Sequence, residues 1–474
     1  MQKPTPLRSW FITAIAVTLT GCTVGPNYRK PPIQTPDSFR APDPLPAGSA
    51  SMGDLKWFEV FKDEKLQELI KVALVQNYDL RDAVTRVEAA RANLGITRAD
   101  QFPNFGAGGN LTTARLSRDG ETPLPSSFVP NQNVTFGSAT LNLLSFELDI
   151  WGRLRRATES ARANLLASEE NRKAVVTTLV SDVASAYFSL RDLDYQLQIS
   201  KDTLATRQAS LDLIKNRQAG GVATLLDRRQ GEQLVYTATE TIPTLEQQIG
   251  QTENQISLLL GRNPGEIARG RSLTEQDMPD VPPGLPSSLL ERRPDIRAAE
   301  DNLIAANALI GVAKAAYFPQ ITLTGFLGGQ GQQLSSLFAG PSSVWNFAGQ
   351  VTQPIFTAGR LKNNVRLTEA QRESALIQYE KTIQTAFTEV SNALIAHQRV
   401  RESRVQQELL VAALQDRKRL AYVRYRGGVD TLLNALDADR DLFAAELALS
   451  QIRDSELVSV VQLYKALGGG WQQQ

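Results

Sequence analysis

Histidine and cysteine are almost absent from this chain, and their scarcity excludes several kinds of protein. His397 is the only histidine and Cys22 the only cysteine among 474 residues. A Cys/His metal site and an intramolecular disulfide therefore cannot be built, and a histidine-based catalytic triad is disfavoured. The glycine run at 328–331 lacks the spacing of a phosphate-binding or dinucleotide-binding loop. These absences predict a protein that is not an enzyme and has no metal ion or other bound cofactor.

An excess of either charge is also missing. Lysine plus arginine number 51 and aspartate plus glutamate number 50, so we expect no basic face for nucleic acid. No run of 18 apolar residues occurs, which predicts that the chain has no transmembrane helix and that any membrane-crossing part consists of β-strands. Methionine occurs only three times, which gives no support to a route for soft metal ions.

The N-terminus has the form of a secretory signal. Two positive residues precede an apolar run at 10–19, which is too short to cross a bilayer. The following Leu19-Thr20-Gly21-Cys22 resembles a bacterial lipobox, in which cleavage precedes the cysteine and lipid is then attached to it. We predict a signal peptide at 1–21 and a covalent lipid on Cys22, with an ordinary signal and a free cysteine as the alternative. Thr23, in place of an aspartate, favours delivery to the outer membrane.

Most of the remaining chain consists of two internal repeats of one unit. Two motifs return 207 residues later: Gly152-Arg153-Leu154 as Gly359-Arg360-Leu361, and Gly220-Gly221-Val222 as Gly427-Gly428-Val429. Phe102-Pro103 returns as Phe318-Pro319 at a spacing of 216, so the length difference falls between Phe-Pro and Gly-Arg. A repeat of this length indicates a duplicated half-domain.

The repeats and the proline-rich stretches predict the domain boundaries. Proline is frequent over 27–55, and this stretch is therefore expected to be extended and without helix. The predicted parts are a lipidated N-terminal segment at 22–62, repeat 1 at 63–274, a linker at 275–286, repeat 2 at 287–470 and a tail at 471–474.

Long heptad patterns predict long helices in both repeats. Apolar residues between Val176 and Leu197 recur at alternating steps of three and four, and Leu204 and Leu211 continue the seven-residue spacing. This is the a/d pattern of helices that pack side by side. No proline or glycine interrupts 153–217, and this predicts one helix of about 65 residues, roughly 97 Å long. The full set of predicted helices is about 63–101, 153–217, 224–261 with a kink at Pro243, 287–317, 360–425 and 431–467.

Two stretches between the helices alternate in polarity and predict β-hairpins at about 103–149 and 319–357. The four strands have about 10–13 residues each, which suits membrane β-strands, and the alternation is expected to run unbroken over 134–148. Four strands cannot close a barrel, and an open edge in lipid leaves backbone groups unpaired. Several copies must therefore share one barrel, with a filled interior for eight strands or an aqueous bore for twelve. Aromatic residues lie near the strand ends, where an aromatic girdle is expected: Phe102, Trp151, Phe318, Trp345 and Phe356.

Motifs along the whole chain combine into a family pattern. They are the lipobox, the repeated halves, Phe-Pro before and Gly-Arg-Leu after each hairpin, Tyr425-Arg426-Gly427-Gly428-Val429, Leu436-Asp437-Ala438 and the ending Leu463-Tyr464-Lys465-Ala466-Leu467-Gly468-Gly469-Gly470-Trp471. In these motifs the chain resembles TolC-type outer-membrane efflux proteins of the lipoprotein branch. The resemblance implies a mainly α fold with a membrane β part. It implies a homotrimeric 12-stranded β-barrel, with four strands per chain, continued by a long α-helical barrel and an equatorial domain.

The resemblance also implies a function and partners. The protein would be a passive exit duct in the cell outer membrane that extends into the periplasm and conducts drugs or other small toxic compounds. Its partners would be a periplasmic adaptor, an inner-membrane pump of the resistance-nodulation-division type and outer-membrane lipid.

A gate at the periplasmic helix tips is implied as well. The tips contain the turns Gly220-Gly221 and Gly427-Gly428, and Leu433 and Asp437 match the family positions for an apolar ring and an acidic ring. An apolar ring opposes ions by dewetting, and an acidic ring favours cations. Gln230 is the first-repeat counterpart of Asp437, so that only one repeat supplies the acidic ring. The expected partners that hold the tips closed are Arg424, Tyr425 and Arg426.

Plainer interpretations exist for several of these residues. Asp437, Asp439 and Asp441 are spaced two apart, so they are expected to point in different directions and not to form one metal site. A single aspartate on a helix is usually solvated, and Leu433 alone would be a packing residue. His397 lies on the heptad stripe and is expected to be a packed helix residue rather than a pH sensor.

Other classes of function stay open at this point. An exit duct for protein secretion is the second transport function. A lipid-anchored coiled-coil scaffold without a pore would account for the heptads and the lipobox. A carboxylate-based hydrolase would require a closed pocket, which the repeat pattern does not suggest. The transported substrate is not evident from the sequence.

Overall fold

The computed structural model describes residues 23–41, 51–115, 133–276, 282, 284 and 286–472. The predicted signal peptide and Cys22 lie outside the described residues. The helices are α1 Trp57–Val60, α2 Glu64–Gln76, α3 Tyr78–Ala99, α4 Arg153–Ala219, α5 Leu225–Leu259, α6 Pro286–Arg292, α7 Pro294–Ala315, α8 Arg360–Arg426 and α9 Leu432–Ala466. The strands are β1 Phe105–Arg115, β2 Asn133–Glu147, β3 Gln320–Gly331 and β4 Ser343–Thr352.

The 207-residue repeat reappears in the bounds of the long helices. Helices α4 and α8 each have 67 residues, and α5 and α9 each have 35. Each second-repeat helix starts and ends 207 residues after its first-repeat counterpart. The predicted long helices are confirmed, and the heptad stripe of α4 is buried at Val176, Val183, Leu190 and Leu211. Pro243 lies inside α5, which continues past it.

Two predicted helices are each divided by a polar residue. The helix expected over about 63–101 breaks at Asn77, whose side-chain oxygen accepts a hydrogen bond from Leu80 N at 2.9 Å and thereby caps α3. The Asn77 amide also donates to Leu259 O at 2.9 Å. The helix expected over 287–317 breaks at Arg293, because Pro294 has no backbone N–H with which to continue it. The first division depends on a side-chain cap and the second on a proline, and neither follows from the hydrophobic periodicity.

The four strands form one antiparallel sheet in the order β1-β2-β3-β4. Its register divides the side chains between two faces, because successive residues of a strand point to opposite sides. One face is mostly apolar, with Thr113, Arg115, Asn133 and Thr135 as polar residues toward one end: Phe105, Ala107, Leu111, Leu141, Leu143, Phe146, Ile321, Leu323, Leu327, Trp345, Phe347 and Val351. The other face is mostly polar, with Val134, Phe136, Phe326 and Val344 among its exceptions: Asn110, Thr112, Ser138, Thr140, Asn142, Glu147, Gln320, Thr322, Thr324, Gln330, Asn346, Gln350 and Thr352.

A β-bulge in β2 corrects the predicted alternation. The register shifts between Leu143 and Phe146, so that Phe146 pairs with Leu323. An extra residue in one strand reverses the facing of all residues beyond it. The unbroken alternation predicted for 134–148 is therefore wrong beyond Leu143. The bulge keeps Phe146 on the apolar face, together with Leu141 and Leu143.

The chain divides into two compact units, of which the first contains the sheet. It holds the described parts of Met1–Pro31, Glu88–Ala167 and Glu300–Gln378. Its N-terminal segment, 23–31, is held by hydrogen bonds and one ion pair: Val24 N to Trp151 O at 3.0 Å, Arg156 Nη2 to Asn27 Oδ1 at 2.6 Å, Asn307 Nδ2 to Pro26 O at 3.0 Å and Lys30 Nζ to Glu300 Oε2 at 3.0 Å. Gly25 and Gly311 pack backbone to backbone, where a side chain at Gly25 would have no room. At the base of the sheet, the Trp151 and Phe318 rings stack with centroids 4.7 Å apart.

The second unit holds the described parts of Pro32–Val87, Ser168–Ala299 and Tyr379–Gln474. Tyr187, Tyr379 and Tyr464 are its largest fully buried side chains. His397 on α8 is half-buried, with Nδ1 3.0 Å from Ser459 Oγ on α9, and burial lowers its pKa. These contacts describe a packed helix residue that stays uncharged near neutral pH.

Within the described ranges, every helix is either too short or too polar to cross a lipid bilayer.

Candidate functional site at the helix tips

Both predicted glycine turns are present, and both close their helix in the same way. Val222 N donates to Arg217 O at 2.8 Å in the first repeat, and Val429 N donates to Arg424 O at 3.1 Å in the second. Gly221 and Gly428 have φ angles of +74° and +75°, a conformation that residues with a side chain rarely adopt. No atom lies within 4 Å of a Cβ built at either position. Backbone conformation, and not lack of space, therefore requires glycine here.

The two turns differ in how the following helix is capped. In the first repeat, Thr224 and Asp227 form a reciprocal capping box. In the second, Asp430 accepts hydrogen bonds from Asn434 Nδ2 at 2.7 Å, Thr431 N at 2.8 Å and Arg424 Nε at 3.1 Å. These three donors, in that order of influence, lower the pKa of Asp430. Arg424 thus stabilises the turn of its own hairpin.

Leu433 and Asp437 lie one helical turn apart on α9. Leu433 is 48% exposed, and its first-repeat counterpart Leu226 is 67% exposed. Asp437 Oδ1 is 3.0 Å from Arg440 Nη1, and Arg440 Nη2 is 2.9 Å from Asp441 Oδ1. Asp437 and Asp441, four residues apart, therefore share one arginine on the same face of the helix. The expectation that all three aspartates point in different directions is wrong for this pair.

Tyr425 and Arg426, the other two predicted gate residues, differ in their surroundings. The Tyr425 ring packs against a cluster that contains Ile214 and Leu432, and the guanidinium of Arg217 lies 4.9 Å from its centroid. Arg426 is exposed at the end of α8. The role of these residues in holding the tips closed stays a prediction.

A buried ionic cluster near the tips was missed by the sequence analysis. Asp439 is only 2% exposed, with Arg207 Nε at 2.6 Å and Lys418 Nζ at 2.5 Å from its two carboxylate oxygens. The expectation of a solvated aspartate is wrong at this position. Asp439 lies between Ala435 and Leu442 on the buried face of α9. Its position among these apolar residues could have predicted its burial from the sequence.

A pair of buried acids farther along the same helices was also missed. Asp192 on α4 accepts hydrogen bonds from Ser450 Oγ and from Gln196 Nε2, the latter at 2.7 Å. Asp454 on α9 accepts a hydrogen bond from Ser189 Oγ at 3.3 Å. The pKa of Asp454 is raised to about 7, mainly by burial and to a smaller extent by the nearby charge of Asp192. The facing residues belong to different repeats, 258 and 265 positions apart in the chain, so no local sequence pattern marked them.

The glycine turn gives a prediction about local stability. Gly428→Ala is expected to cost about 1–2 kcal/mol at the tip, because the left-handed conformation is unfavourable for alanine. The Val429 amide should then exchange its hydrogen about 5- to 30-fold faster, as measured by hydrogen exchange. Gly427→Ala is the matched control, since Gly427 lacks a positive φ angle. Equal acceleration in both variants would contradict this explanation of the glycine.

Among the described residues, no group of three or more histidine, cysteine, aspartate or glutamate side chains is arranged to hold a metal ion.

Known proteins are similar to this chain over nearly its whole length. The sequence profile of the family described as Outer membrane efflux protein matches residues 69–262 and 285–469. The toluene efflux pump outer membrane protein TtgC of Pseudomonas putida is 39% identical, over 98% of this chain and 96% of that protein. The cation efflux system protein CusC of Escherichia coli is 35% identical, over 97% and 98%. The crystal structure of the open state of the Neisseria gonorrhoeae MtrE outer membrane channel matches with a TM-score of 0.86 and 32% identity, over 95% of this chain and 99% of that one.

Proposed function

The chain belongs to the outer membrane efflux protein family, and on that premise we propose that three copies form a gated exit duct for drugs or other small toxic compounds. As a member of the family it is an outer membrane efflux channel of a tripartite pump, a transport protein and not an enzyme. Membership implies an adaptor protein and an inner-membrane pump as partners, and a channel that extends into the periplasm.

The two-faced sheet supports assembly into a trimeric, 12-stranded barrel. Strands β1 and β4 are the edges of the sheet, and an unpaired edge in lipid leaves backbone N–H and C=O groups without partners. The apolar face, with Trp345 78% and Phe347 62% exposed, suits contact with lipid, and the polar face suits a wet bore. Twelve strands enclose an aqueous bore, whereas eight would be filled by side chains.

The position of the N-terminal segment supports a lipid anchor on Cys22. From Thr23 onward the chain lies against the base of the sheet, and Val24 donates to the carbonyl of Trp151. Trp151 and Phe318 stack there, and aromatic residues of this kind favour the membrane–water boundary. A lipid on the preceding residue would therefore start at the height of the bilayer surface. One acylated residue adds membrane affinity to a protein that is already inserted.

The proposed gate rests on one observation, the exposure of Leu433 one helical turn before Asp437 on α9. Three copies would give an apolar ring and an acidic ring one turn apart. The apolar ring would oppose the passage of ions by dewetting, and the acidic ring would favour cations over anions. The first-repeat positions are Leu226 and Gln230, so that the acidic ring comes from the second repeat alone. This asymmetry makes the second-repeat tip the better candidate for a constriction.

The cargo follows from the class of pump rather than from the duct. The names of two relatives refer to toluene and to cations, so similar ducts serve different cargoes. With three methionines in the whole chain, a route lined by soft ligands for metal ions is not supported. We therefore propose small organic compounds as the cargo.

Single-channel conductance in a planar bilayer tests the duct and its gate. The purified wild-type protein is expected to give small currents, and Leu433→Ala/Asp437→Ala is expected to give currents several times larger, because both rings are removed. Leu226→Ala/Gln230→Ala is the matched control at the equivalent first-repeat positions and should behave as wild type. Equal currents from wild type and the second-repeat variant would contradict the gate. Absence of trimers and of current in all three proteins would contradict the duct itself.

A further inference from the structure

All four long helices near the tips are linked through Asp439 and its partner Arg207. Arg207 from α4 donates from Nε to Asp439 Oδ2 at 2.6 Å, and its Nη1 donates to Leu234 O on α5 at 2.9 Å. Lys418 from α8 reaches the other carboxylate oxygen at 2.5 Å. The Arg207 guanidinium also lies 4.8 Å from the centroid of the Phe443 ring. Arg207 and Asp439 are 3% and 2% exposed, so water contributes little to their solvation.

The equivalent place in the first repeat is built differently. Glu232 is the counterpart of Asp439, and it is buried as well, but its partners are Arg228 at 2.8 Å and Arg229 at 2.7 Å on the same helix. The counterparts of Arg207 and Lys418 are leucines, Leu414 and Leu211. The first-repeat acid is therefore satisfied within α5. The second-repeat acid, in contrast, ties α9 directly to α4 and α8, and through Arg207 to α5.

The position of Asp439 relates it to the candidate gate. Asp437 and Asp439 are two residues apart, which is about 200° around a helix. When Asp439 points into the interior of the four helices, Asp437 must point away from it, and Leu433, one turn before, points to the same side as Asp437. A buried charge that loses its partner is strongly disfavoured. Rotation of α9 about its own axis would separate Asp439 from Arg207 and is therefore opposed.

We propose that Arg207 and Lys418, through Asp439, fix the rotation of α9 and thereby hold Leu433 and Asp437 in the constriction. Asp439 is then a positioning residue, which acts on transport through two other side chains. This inference rests on the proposed gate, and it adds three residues that the sequence motifs did not include. It also explains why the two repeat-related tips, with the same turns and the same helix lengths, would behave differently.

Asp439→Asn tests the proposal, with Glu232→Gln as the matched control. Both variants remove one buried negative charge at equivalent places of the two repeats. Asp439→Asn is expected to increase single-channel conductance several-fold, and Glu232→Gln is expected to leave it unchanged. Added to Leu433→Ala/Asp437→Ala, Asp439→Asn should produce no further increase, because it acts through those residues. A role in stability alone would change the melting temperature of the trimer without this dependence.

A second variant keeps the test decisive if Asp439→Asn fails to assemble. Arg207→Met/Asp439→Leu removes both buried charges and keeps apolar volume, a change that often preserves folding, and it should show the same increase in conductance. Suppose that an assembled Asp439 variant conducts as wild type does, while Leu433→Ala/Asp437→Ala gives larger currents. That result would overturn the role of Asp439 and leave the gate in place. If Leu433→Ala/Asp437→Ala also conducts as wild type does, both the gate and the role of Asp439 are overturned.

Discussion

Asp63→Ala is expected to destabilise the protein by about 3–5 kcal/mol, since it removes a buried charge on which several segments converge. Asp63 is 2% exposed. Its carboxylate accepts five hydrogen bonds: from Lys65 N at 2.9 Å, Leu66 N at 3.3 Å, Tyr187 Oη at 3.0 Å, Arg271 N at 2.9 Å and Gln276 Nε2 at 3.0 Å. The substitution removes the acceptor that the start of α2, α4 and the segment after α5 share. The measurement is the free energy of unfolding in detergent.

The pH dependence of the Asp63 variant provides a second test. Burial alone would raise the pKa of Asp63, but hydrogen bonds from Gln276, Leu66, Tyr187 and Arg271 together lower it below its ordinary value. The stabilisation is therefore present above the unfolded pKa of about 4 and is lost as pH falls through the lower folded pKa. The difference between wild type and Asp63→Ala should shrink in acid.

Asp212→Ala is the control for the Asp63 experiment. Asp212 is an exposed acid on α4 that pairs with Lys215 at 3.3 Å, and an exposed pair contributes about 0–1 kcal/mol. A loss from Asp63→Ala no larger than the loss from Asp212→Ala would show that the five hydrogen bonds do not stabilise the fold.

Asp454→Asn is expected to raise the free energy of unfolding of the protein. The gain is expected to be larger at pH 8 than at pH 5, and the two gains should differ by about 2 kcal/mol. The pKa of Asp454 is raised to about 7, by burial and then by the charge of Asp192. Between its ordinary pKa and pH 7, the folded chain holds a proton that the unfolded chain has released. The free energy of unfolding of the wild type therefore falls as pH rises through this range. Asparagine carries no charge and removes that loss.

Asp441→Asn is the control for the sign of this effect. Hydrogen bonds from Arg440 and Arg417 lower the pKa of Asp441, so its contribution to stability is complete at both pH 5 and pH 8. Its substitution should change the free energy of unfolding by the same amount at the two pH values. Thermal or denaturant unfolding at pH 5 and 8 compares the variants, and an equal response of Asp454→Asn at both values would contradict a raised pKa.

Features that depend on neighbours along the chain could be predicted from the sequence. Helices α4 and α8 lie within two residues of their predicted bounds, because heptad spacing and the flanking Gly-Gly pairs act locally. The four strands follow from alternation in the same way, and the repeat doubles every such signal. Predictions failed where one residue altered a local pattern, as at the Asn77 cap and at the bulge after Leu143.

The repeat, the long helices, the number of strands and the glycine turns at the tips could be predicted from the amino-acid sequence alone. These properties follow from periodicity and from backbone preference, which depend on residues that are close together in the chain. Which acids are buried, and with which partners, became evident from the folded structure. Arg207 and Asp439 are 232 residues apart in the chain, and Tyr187 and Asp63 are 124 apart. Whether an aspartate is solvated or binds four helices together depends on what packs against it, and no local pattern contains that information.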